Sequence, residues 1–263
     1  MYSISGNVTG IALLSFVTIV NMSVQEHYKQ HLSQIYDWMV GDFDTAQGIQ
    51  QSILQRNNIA PSVTKMAFDL GCGHGLQAIS LAKLGFSVRA VDTDAYLLAG
   101  LNSRKANLPI ETHHASMLDF LNHHQHEQAD VIVCMGDTLP HLATTDQVQQ
   151  VIHLAWQRLV NAGILMISFR DYSVALTGDQ RFIPVRSDEH RILTCFLEYT
   201  TDRVLVHDLI QERTPQGWKQ RISSYPKLRL SKSWMIQALE VQGFVTRHEE
   251  INRMHYLVAK KTH

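Results

Sequence analysis

Short apolar runs alternate with longer amphipathic stretches between about residues 65 and 172. Five runs bounded by turn signals are typical of strands: Met66–Leu70, Ser87–Asp92, Ile110–Ala115, Ala129–Met135 and Ile164–Phe169. The stretches between them have the apolar spacing of helices: Leu76–Leu84, Ala95–Ala106 and Thr145–Val160. This order indicates right-handed βαβ units and a mostly parallel sheet that is covered on both faces.

Beyond residue 172 the strands follow one another without helices between them. Three half-alternating runs are separated by the hairpin signals Thr-Thr-Asp and Thr-Pro-Gln-Gly: His190–Tyr199, Arg203–Gln211 and Trp218–Leu228. We therefore expect an antiparallel insertion. A helix is predicted over Lys232–Val241, with Ser231 as its N-cap and Gly243 just past its end. Two closing strands are predicted at Phe244–Ile251 and Met254–Lys260.

Composition and charge exclude several classes of protein. The chain is 45% apolar and 18% charged, which excludes intrinsic disorder. Its net charge of -1 argues against a main partner that is a nucleic acid or an anionic membrane. Cys72, Cys134 and Cys195 are too few and too scattered for a disulfide framework, so a reducing, cytoplasmic setting is expected. No second histidine cluster complements the one at residues 123–126, so no metal site is expected.

A glycine-rich loop joins the first predicted strand to the first predicted helix. Residues 69–75 read Asp-Leu-Gly-Cys-Gly-His-Gly, and Asp92 closes the second strand 17 residues after Gly75. Glycines let a backbone turn sharply and approach a ligand, and the helix N-terminus adds unpaired N–H groups. A carboxylate at Asp92 can accept hydrogen bonds from both hydroxyls of a ribose. The combination indicates a nucleoside site at the carboxyl ends of the strands.

The loop differs from the dinucleotide fingerprint in two ways. Its spacing is G-x-G-x-G, and Asp69 places an acid at its mouth, where a cationic ligand is favoured over a phosphate. Together with Ala-Val-Asp-Thr-Asp at residues 90–94, the loop resembles the class I S-adenosylmethionine-dependent methyltransferases. The resemblance covers about residues 26–260. It implies an α/β, Rossmann-like three-layer sandwich with a seven-stranded, mostly parallel sheet, an antiparallel edge strand and the small antiparallel β insertion.

The resemblance also implies S-adenosylmethionine as cofactor and a set of contacts to it. These come from the loop, the second strand and the segments after the third and fourth strands: Asp69, Gly71, Cys72, Gly73, Gly75, Asp92, Thr93, Ser116, Met117 and Met135. Ser116 stands where the family has an acid that contacts the adenine amino group, so Met117 is expected to contribute by packing. Tyr28 and Trp38, in an aromatic N-terminal helix, are expected to close over the methionine end.

Two further segments resemble glycine N-methyltransferase-like enzymes. Cys-Met-Gly-Asp-Thr-Leu-Pro-His-Leu at residues 134–142 is similar to their C-x-G-N-S-x-x-H-L stretch, and Phe-Arg-Asp-Tyr at residues 169–172 to their R-N-Y segment. By this resemblance Arg170 binds the substrate carboxylate, while Asp137 and His141 are the candidates if a base is used. Asp137 and Asp171 replace family asparagines. Two explanations of Asp137 stay open. The substrate is a more basic amine than glycine, or Asp137 pairs with Arg170 when the site is empty.

The predicted function is methyl transfer from S-adenosylmethionine to a small molecule, an amine bearing a carboxylate. An oxygen- or carbon-directed small-molecule methyltransferase is the alternative within the enzyme class, and a non-catalytic S-adenosylmethionine-binding regulatory protein is the alternative outside it. The loop spacing and Asp69 argue against a nicotinamide oxidoreductase. No nucleic-acid partner is expected, because the N/D-P-P-Y/F motif of the amino-base enzymes is missing after the fourth strand. The oligomeric state is left open.

These expectations divide the chain into five parts. Residues 22–60 are predicted to form lid helices, 61–172 the S-adenosylmethionine-binding core, 173–230 a roof over the substrate, and 231–263 the helix and strands that complete the core sheet. Residues 1–21 contain an apolar run of ten residues at 11–20, too short for a membrane span of about 20. Lys29 is the first basic residue, so a signal peptide is not indicated. Two interpretations stay open: an extension or tail ahead of a start at Met22, or a docked helix or membrane contact.

Overall fold

The computed structural model describes residues 22–262. Both interpretations of the apolar run at residues 11–20 lie outside the described residues. Within residues 22–262, no helix combines the length and the apolar character needed to cross a bilayer.

The strands of the described residues form two separate sheets. Their bounds are β1 (Met66–Leu70), β2 (Ser87–Asp92), β3 (Ile110–His114), β4 (Ala129–Cys134), β5 (Leu159–Phe169), β6 (Phe182–Ser187), β7 (Arg191–Tyr199), β8 (Arg203–Thr214), β9 (Gly217–Leu228), β10 (Phe244–Ile251) and β11 (Met254–Lys261). The main sheet has the order β10-β11-β5-β4-β1-β2-β3, and the second sheet has the order β6-β7-β8-β9.

The main sheet is parallel from β3 to β5 and contains one reversed strand. Each neighbouring pair among β1 to β5 is parallel. Strand β11 is antiparallel to both of its neighbours, β5 and β10, so it is the one reversed strand and lies next to the outer strand of this edge. The second sheet is antiparallel throughout. The predicted fold class is therefore confirmed.

Helices cover both faces of the main sheet. Their bounds are α1 (Val24–His27), α2 (Tyr36–Val40), α3 (Phe43–Arg56), α4 (Leu76–Lys83), α5 (Ala95–Arg104), α6 (Met117–His123), α7 (Thr145–Arg158) and α8 (Lys232–Gln242). Successive residues of a strand point to opposite faces. Accordingly Phe68 and Ile132 belong to one hydrophobic core, while Ala67 and Val131 belong to the other. Burial on both faces explains why β1 and β4 are near-continuous apolar runs, each interrupted by one aspartate.

Local signals set the boundaries of α8 as the sequence predicts. The Ser231 hydroxyl accepts a hydrogen bond from the Trp234 N–H at 3.1 Å, and Gly243 follows the helix with a left-handed φ of +103°. An N-cap of this kind contributes about 1 kcal/mol. The cap and the terminating glycine fix where the chain leaves the helix to enter β10.

Two elements are missing from the sequence prediction. Strand β6 is an edge strand whose residues are almost all exposed, and it contains Pro184, so neither alternation nor apolar content marks it. Helix α6 spans only 7 residues, too few for a clear helical period. The N-cap Ser116, whose hydroxyl accepts a hydrogen bond from the Asp119 N–H at 3.1 Å, is its local signal.

The N-terminal segment is a broken helix that packs on the second sheet. Between α1 and α2 the chain passes through a π-helical turn and a short 3-10 turn, residues 28–35. His27 is fully buried, with Nδ1 2.7 Å from Ser223 Oγ and Nε2 2.9 Å from Asp208 Oδ2. Because both ring nitrogens have partners on the second sheet, this histidine fixes the start of the segment next to Tyr28. We propose that the segment serves as the lid.

Replacing Asp130 with alanine is expected to destabilise the fold by about 3 kcal/mol, because four backbone N–H groups lose one shared, buried acceptor. The Asp130 carboxylate accepts hydrogen bonds from the backbone N–H groups of residues 62–65 at 2.6–3.1 Å. Burial raises the pKa of this carboxyl, but those hydrogen bonds outweigh it and hold the pKa below its ordinary value. At neutral pH we expect the melting temperature to fall by roughly 6–12 °C.

Lowering the pH tests whether the charged Asp130 carboxylate is the source of this stability. A depressed carboxyl pKa contributes stability that is present above the unfolded value of about 3.9 and is lost as the pH falls through the folded value. The difference in melting temperature between the wild type and Asp130→Ala should therefore shrink as the pH is lowered below about 4. Asp179→Ala, at an exposed carboxylate, serves as the control. A melting temperature of Asp130→Ala within about 2 °C of the wild type at pH 7 would count against this role.

Candidate functional site

A cavity of about 1100 Å³ lies at the carboxyl ends of β1 to β4. Its lining comes from the segments that follow these strands: Gly71, Cys72, Gly73, Asp92, Thr93, Ser116, Met117, Met135 and Gly136. Tyr28 and Tyr36 from the N-terminal segment line it on the other side. Small-molecule sites usually measure about 300–1,000 Å³, so this cavity has room for two small ligands.

The glycine loop passes under the cavity in left-handed backbone conformations. The φ angles of Gly71, Gly73 and Gly75 are +76°, +53° and +102°. A Cβ at Gly71 would lie 2.3 Å from the Thr138 methyl group, and one at Gly75 would lie 2.3 Å from Leu101 Cδ1. A Cβ at Gly73 would meet side-chain atoms only at 4.0 Å. Packing therefore requires glycine at the first and third positions, whereas Gly73 brings bare backbone to the cavity.

Asp92 stands at the end of β2 with its carboxylate in the cavity wall. Oδ2 accepts a hydrogen bond from the Gly73 N–H at 2.7 Å, and Oδ1 accepts one from the Asp94 N–H at 2.8 Å. Burial raises the pKa of Asp92, and these two hydrogen bonds oppose that rise. Each carboxylate oxygen can accept more than one hydrogen bond, so both remain able to bind a ligand hydroxyl.

Asp69, at the end of β1, is 1% exposed and lies beneath the glycine loop. Its Oδ2 has no hydrogen-bond partner among the described residues. Burial, reinforced by the nearby charge of Asp92, raises the pKa of Asp69 to about 8. A buried carboxyl oxygen without a donor is unfavourable, and a cationic or N–H-bearing ligand group would relieve it.

The wall beside β3 is built by residues 114–117. His114 lines the cavity and its Nε2 lies 3.0 Å from the Thr93 carbonyl oxygen. The Ser116 hydroxyl donates a hydrogen bond to the Asp119 carboxylate at 2.7 Å. An acid therefore accompanies Ser116 at this wall, three residues further along the chain, and Met117 supplies the apolar surface beside it.

His141 belongs to a 3-10 turn after β4 and lines the cavity. Its ring centroid lies 5.7 Å from that of Tyr28 and 5.6 Å from that of Tyr225. Nε2 is buried and has no hydrogen-bond partner among residues 22–262. Burial lowers the pKa of His141 well below its ordinary value, and the positive charge of Lys227 lowers it further. The imidazole is therefore neutral at neutral pH, and its buried Nε2 is left without a partner in the described structure.

Asp137 is held from three directions and is not free to act as a base. Its carboxylate accepts hydrogen bonds from the Arg170 backbone N–H at 2.9 Å, the Tyr172 hydroxyl at 2.9 Å and Lys227 Nζ at 2.5 Å. The sequence suggested a pairing of Asp137 with Arg170. The structure corrects this, because Arg170 contributes only its backbone N–H and Lys227 supplies the cation.

A family model for a methyltransferase domain matches residues 67–163, which include the glycine loop, Asp92 and His141. The crystal structure of an S-adenosylmethionine-dependent methyltransferase from Clostridium acetobutylicum ATCC 824 has the same fold. Its TM-score is 0.69 at 15% identity, over 88% of this chain and 98% of that one. Residues 67–163 therefore match a methyltransferase domain, and the described chain has the fold of an S-adenosylmethionine-dependent methyltransferase.

Curated relatives of this methyltransferase domain differ in the atom they modify. A glycine/sarcosine N-methyltransferase from Aphanothece halophytica is 27% identical over 114 residues, which are 43% of this chain and 43% of the relative. A ubiquinone biosynthesis O-methyltransferase from Glaesserella parasuis serovar 5 (strain SH0165) is 32% identical over 109 residues, 40% of this chain and 44% of the relative. The chain thus matches less than half the length of these relatives.

The residues of the methyltransferase domain fit the cofactor of its class. S-adenosylmethionine carries an ammonium group, a sulfonium group and a ribose with two hydroxyls. The unpartnered, buried Oδ2 of Asp69 suits the ammonium group, and bare backbone at Gly73 allows close approach. The Asp92 carboxylate suits the two ribose hydroxyls.

Five of the expected site residues do not line the cavity: Asp69, Gly75, Asp137, Arg170 and Trp38. Gly75 packs against Leu101, as described above. Trp38 donates its indole N–H to the Asp188 carboxylate and lies 5.0 Å from the Arg191 guanidinium, because α2 turns this side chain towards the second sheet. Arg170 is exposed. It follows Phe169, which is buried in one core, so its side chain alternates to the other face of the sheet.

Sequence reasoning missed several residues that line the cavity or support it. Tyr96 lines the cavity. It comes two residues after Asp94, so its position in the segment that follows β2 could have indicated this role. Gln25, Gln50, Gln77 and Gln147 also line it and come from separate helices or their ends. No local sequence pattern indicates the role of Lys227, because its partner Asp137 lies 90 residues earlier in the chain.

Proposed function

We propose that this protein transfers a methyl group from S-adenosylmethionine to the nitrogen of a small-molecule amine. One observation carries the cofactor part. Asp92, whose carboxylate can accept ribose hydroxyls, lines the cavity, and Asp69, whose buried Oδ2 has no donor among the described residues, comes two residues before Gly71, which lines it as well. The fold and the family match support the same assignment.

The chain's own residues would hold the cofactor and exclude water from it. Asp69 and the backbone of Gly73 would hold the methionine end, Asp92 the ribose, and Met117 the adenine. When bound, S-adenosylmethionine supplies an activated methyl group on sulfur, ready for in-line displacement. Alignment of the acceptor with that group can contribute roughly 7–11 kcal/mol. Tyr28 and Tyr36, which line the cavity from the N-terminal segment, would shield it from solvent.

The basicity of His141 favours nitrogen as the acceptor atom. A hydroxyl must lose its proton as it is methylated, and this calls for a base whose pKa is near the working pH. The pKa of His141 is well below its ordinary value, and the Asp137 carboxylate already has three donors. A neutral amine carries its lone pair already and needs only an acceptor that orients its N–H. His141 Nε2 can provide that acceptor.

This geometry does not support the expectation that Arg170 binds a substrate carboxylate. Arg170 is exposed. Apart from histidines, the ionisable side chains of Asp, Glu, Lys and Arg type that line the cavity are Glu26, Lys29, Asp92 and Asp94. This lining suits an amine more readily than an anion. We therefore propose small amines as the substrate class, with carboxylated amines as one member to be tested.

Turnover with radiolabelled S-adenosylmethionine tests the proposal against a panel of carboxylated amines, uncharged amines, phenols and carboxylic acids. Methylation of amines above all other acceptors is the expected result. Arg170→Ala is expected to change kcat/KM less than about threefold for both kinds of amine, as for other exposed charges. A large loss confined to carboxylated amines would restore the carboxylate-binding role of Arg170. Methylation of phenols alone would contradict the assignment to nitrogen.

Cofactor binding is expected to release close to one proton at pH 7. The pKa of Asp69 is about 8 in the free protein, so its carboxyl is mostly protonated at pH 7. An ammonium group beside it favours the charged form and lowers its pKa, and the proton then leaves. Titration calorimetry in buffers of different ionisation enthalpy measures this release. Asp69→Asn should bind more weakly and release no proton, whereas the same binding enthalpy for the wild type in all buffers would refute the contact.

A further inference from the structure

Lys227 lies on β9 of the second sheet, but its ammonium group reaches the methyltransferase domain. Only 7% of the residue is exposed, and Nζ donates to Asp137 Oδ2 at 2.5 Å. Nζ also lies 5.8 Å from the ring centroids of both Tyr172 and Tyr225. A buried ammonium group with one carboxylate partner and two aromatic neighbours has a defined position.

The partner of Lys227 controls a turn in the cavity wall. Asp137 has a left-handed φ of +67°, and its neighbours Gly136 and Thr138 both line the cavity. A residue with a Cβ adopts this conformation at a cost, so the surroundings must hold it there. The hydrogen bonds to the Asp137 carboxylate hold the backbone in this conformation. Among the described residues, Lys227 is the cation that forms an ion pair with this carboxylate.

The same lysine influences His141, which follows this turn. Four neighbours face the His141 ring or act on its charge: Tyr28 and His27 from the N-terminal segment, and Tyr225 and Lys227 from β9. Burial disfavours the protonated imidazole, and the positive charge of Lys227 acts in the same direction.

We infer that Lys227 is a positioning residue for methyl transfer: from the second sheet it fixes the turn at residues 136–138 and places its positive charge near His141 at the cavity wall. This role rests on the proposed function, because only a methyl transfer to an amine gives His141 a substrate to orient. The second sheet would then take part in the active site as well as covering it.

The first test measures His141 directly and needs no turnover. The titration of His141 is followed by NMR in protein labelled with ¹³C-histidine, and the signal is assigned by its loss in His141→Phe. In Lys227→Met the imidazole should titrate at higher pH than in the wild type. Lys227→Arg keeps the charge and should remain close to the wild type. Lys219→Met, at an exposed lysine on the same strand, is the matched control and should change nothing.

The second test uses kinetics to separate positioning from a general loss of structure. Lys227→Met should lower kcat by about 10- to 100-fold, since a misplacement near 1 Å can cost a hundredfold. The KM for S-adenosylmethionine should change less than threefold, because Asp69 and Asp92 are untouched. The acid limb of the kcat profile should move to higher pH, since His141 then protonates at higher pH. Lys227→Arg should recover part of kcat.

The double variant Asp137→Asn/Lys227→Met covers the case in which Lys227→Met does not fold. It removes both charges, so no unpaired carboxylate is buried, and His141 should still titrate at higher pH than in the wild type. Unchanged titration of His141 in Lys227→Met or in the double variant would overturn the role of Lys227, whatever the turnover. The expected NMR shift without turnover of any amine by the wild type would instead refute the proposed function, and with it the catalytic meaning of the lysine.

Discussion

Replacing Asp92 with alanine is expected to weaken the binding of S-adenosylmethionine by at least about 100-fold. The carboxylate would accept hydrogen bonds from two ribose hydroxyls, and a hydrogen bond to a charged group is worth about 1.5–3 kcal/mol. Two such bonds correspond to roughly 10²- to 10⁴-fold in affinity. The carboxylate also holds the Gly73 N–H at 2.7 Å, so its loss frees the glycine loop as well. Titration calorimetry at neutral pH measures the effect.

Two further variants separate the ribose contact from a loss of fold. Asp92→Asn keeps the shape of the side chain and one carbonyl oxygen, so we expect a smaller loss of affinity. Asp179→Ala, at an exposed carboxylate far along the chain, should bind like the wild type. If Asp92→Ala has the melting temperature of a folded protein and binds within threefold of the wild type, the ribose assignment fails.

Replacing His141 with phenylalanine is expected to lower kcat by about 100-fold or more, with little effect on cofactor affinity. His141 is proposed to orient the acceptor nitrogen, and a misplacement of the reacting atoms near 1 Å can cost about a hundredfold in rate. Phenylalanine retains a ring between Tyr28 and Tyr225, whose centroids lie 5.7 and 5.6 Å from that of the imidazole. Because the buried Nε2 has no partner in the described structure, its removal should not destabilise the protein. Single-turnover rates on the best amine measure the effect.

The pH dependence adds an independent check on this histidine. In the wild type, a neutral His141 is present at neutral pH, and protonation of its imidazole should add an acid limb to the profile, at lower pH than the limb set by protonation of the amine substrate itself. His141→Phe should lack this acid limb. His126→Phe, in an exposed loop, is the control and should keep both the rate and the profile. A kcat of His141→Phe within threefold of the wild type would exclude this residue from proton handling.

Burial on two faces made the main sheet predictable from the sequence. Strands β1 and β4 are covered by helices on both sides, and this produces near-continuous apolar runs, as it does in the second half of β5. The glycine loop could be predicted as well, because packing against Thr138 and Leu101 admits only glycine at two of its positions. These features are local, and a short stretch of sequence contains them completely.

The direction of side chains from less regular elements was not predictable in the same way. Trp38 belongs to an aromatic segment that could face either the cavity or the second sheet, and a break in the helix before α2 decides between them. Arg170 follows the last residue of β5, so one residue of register determines its face. The partner of Asp137 comes from β9, and no local pattern marks Lys227 as different from its neighbours on that strand.

Calorimetric titration of the wild-type protein with S-adenosylmethionine, and separately with NADH, tests the central claim most directly. Both ligands carry a ribose that Asp92 could accept, but only the first places an ammonium group where Asp69 can meet it. We expect saturable binding of S-adenosylmethionine at one site per chain, with release of a proton at pH 7, and no binding of NADH. Binding of NADH alone to the folded protein would contradict the assignment of the cavity, and no binding of S-adenosylmethionine would contradict the proposed activity.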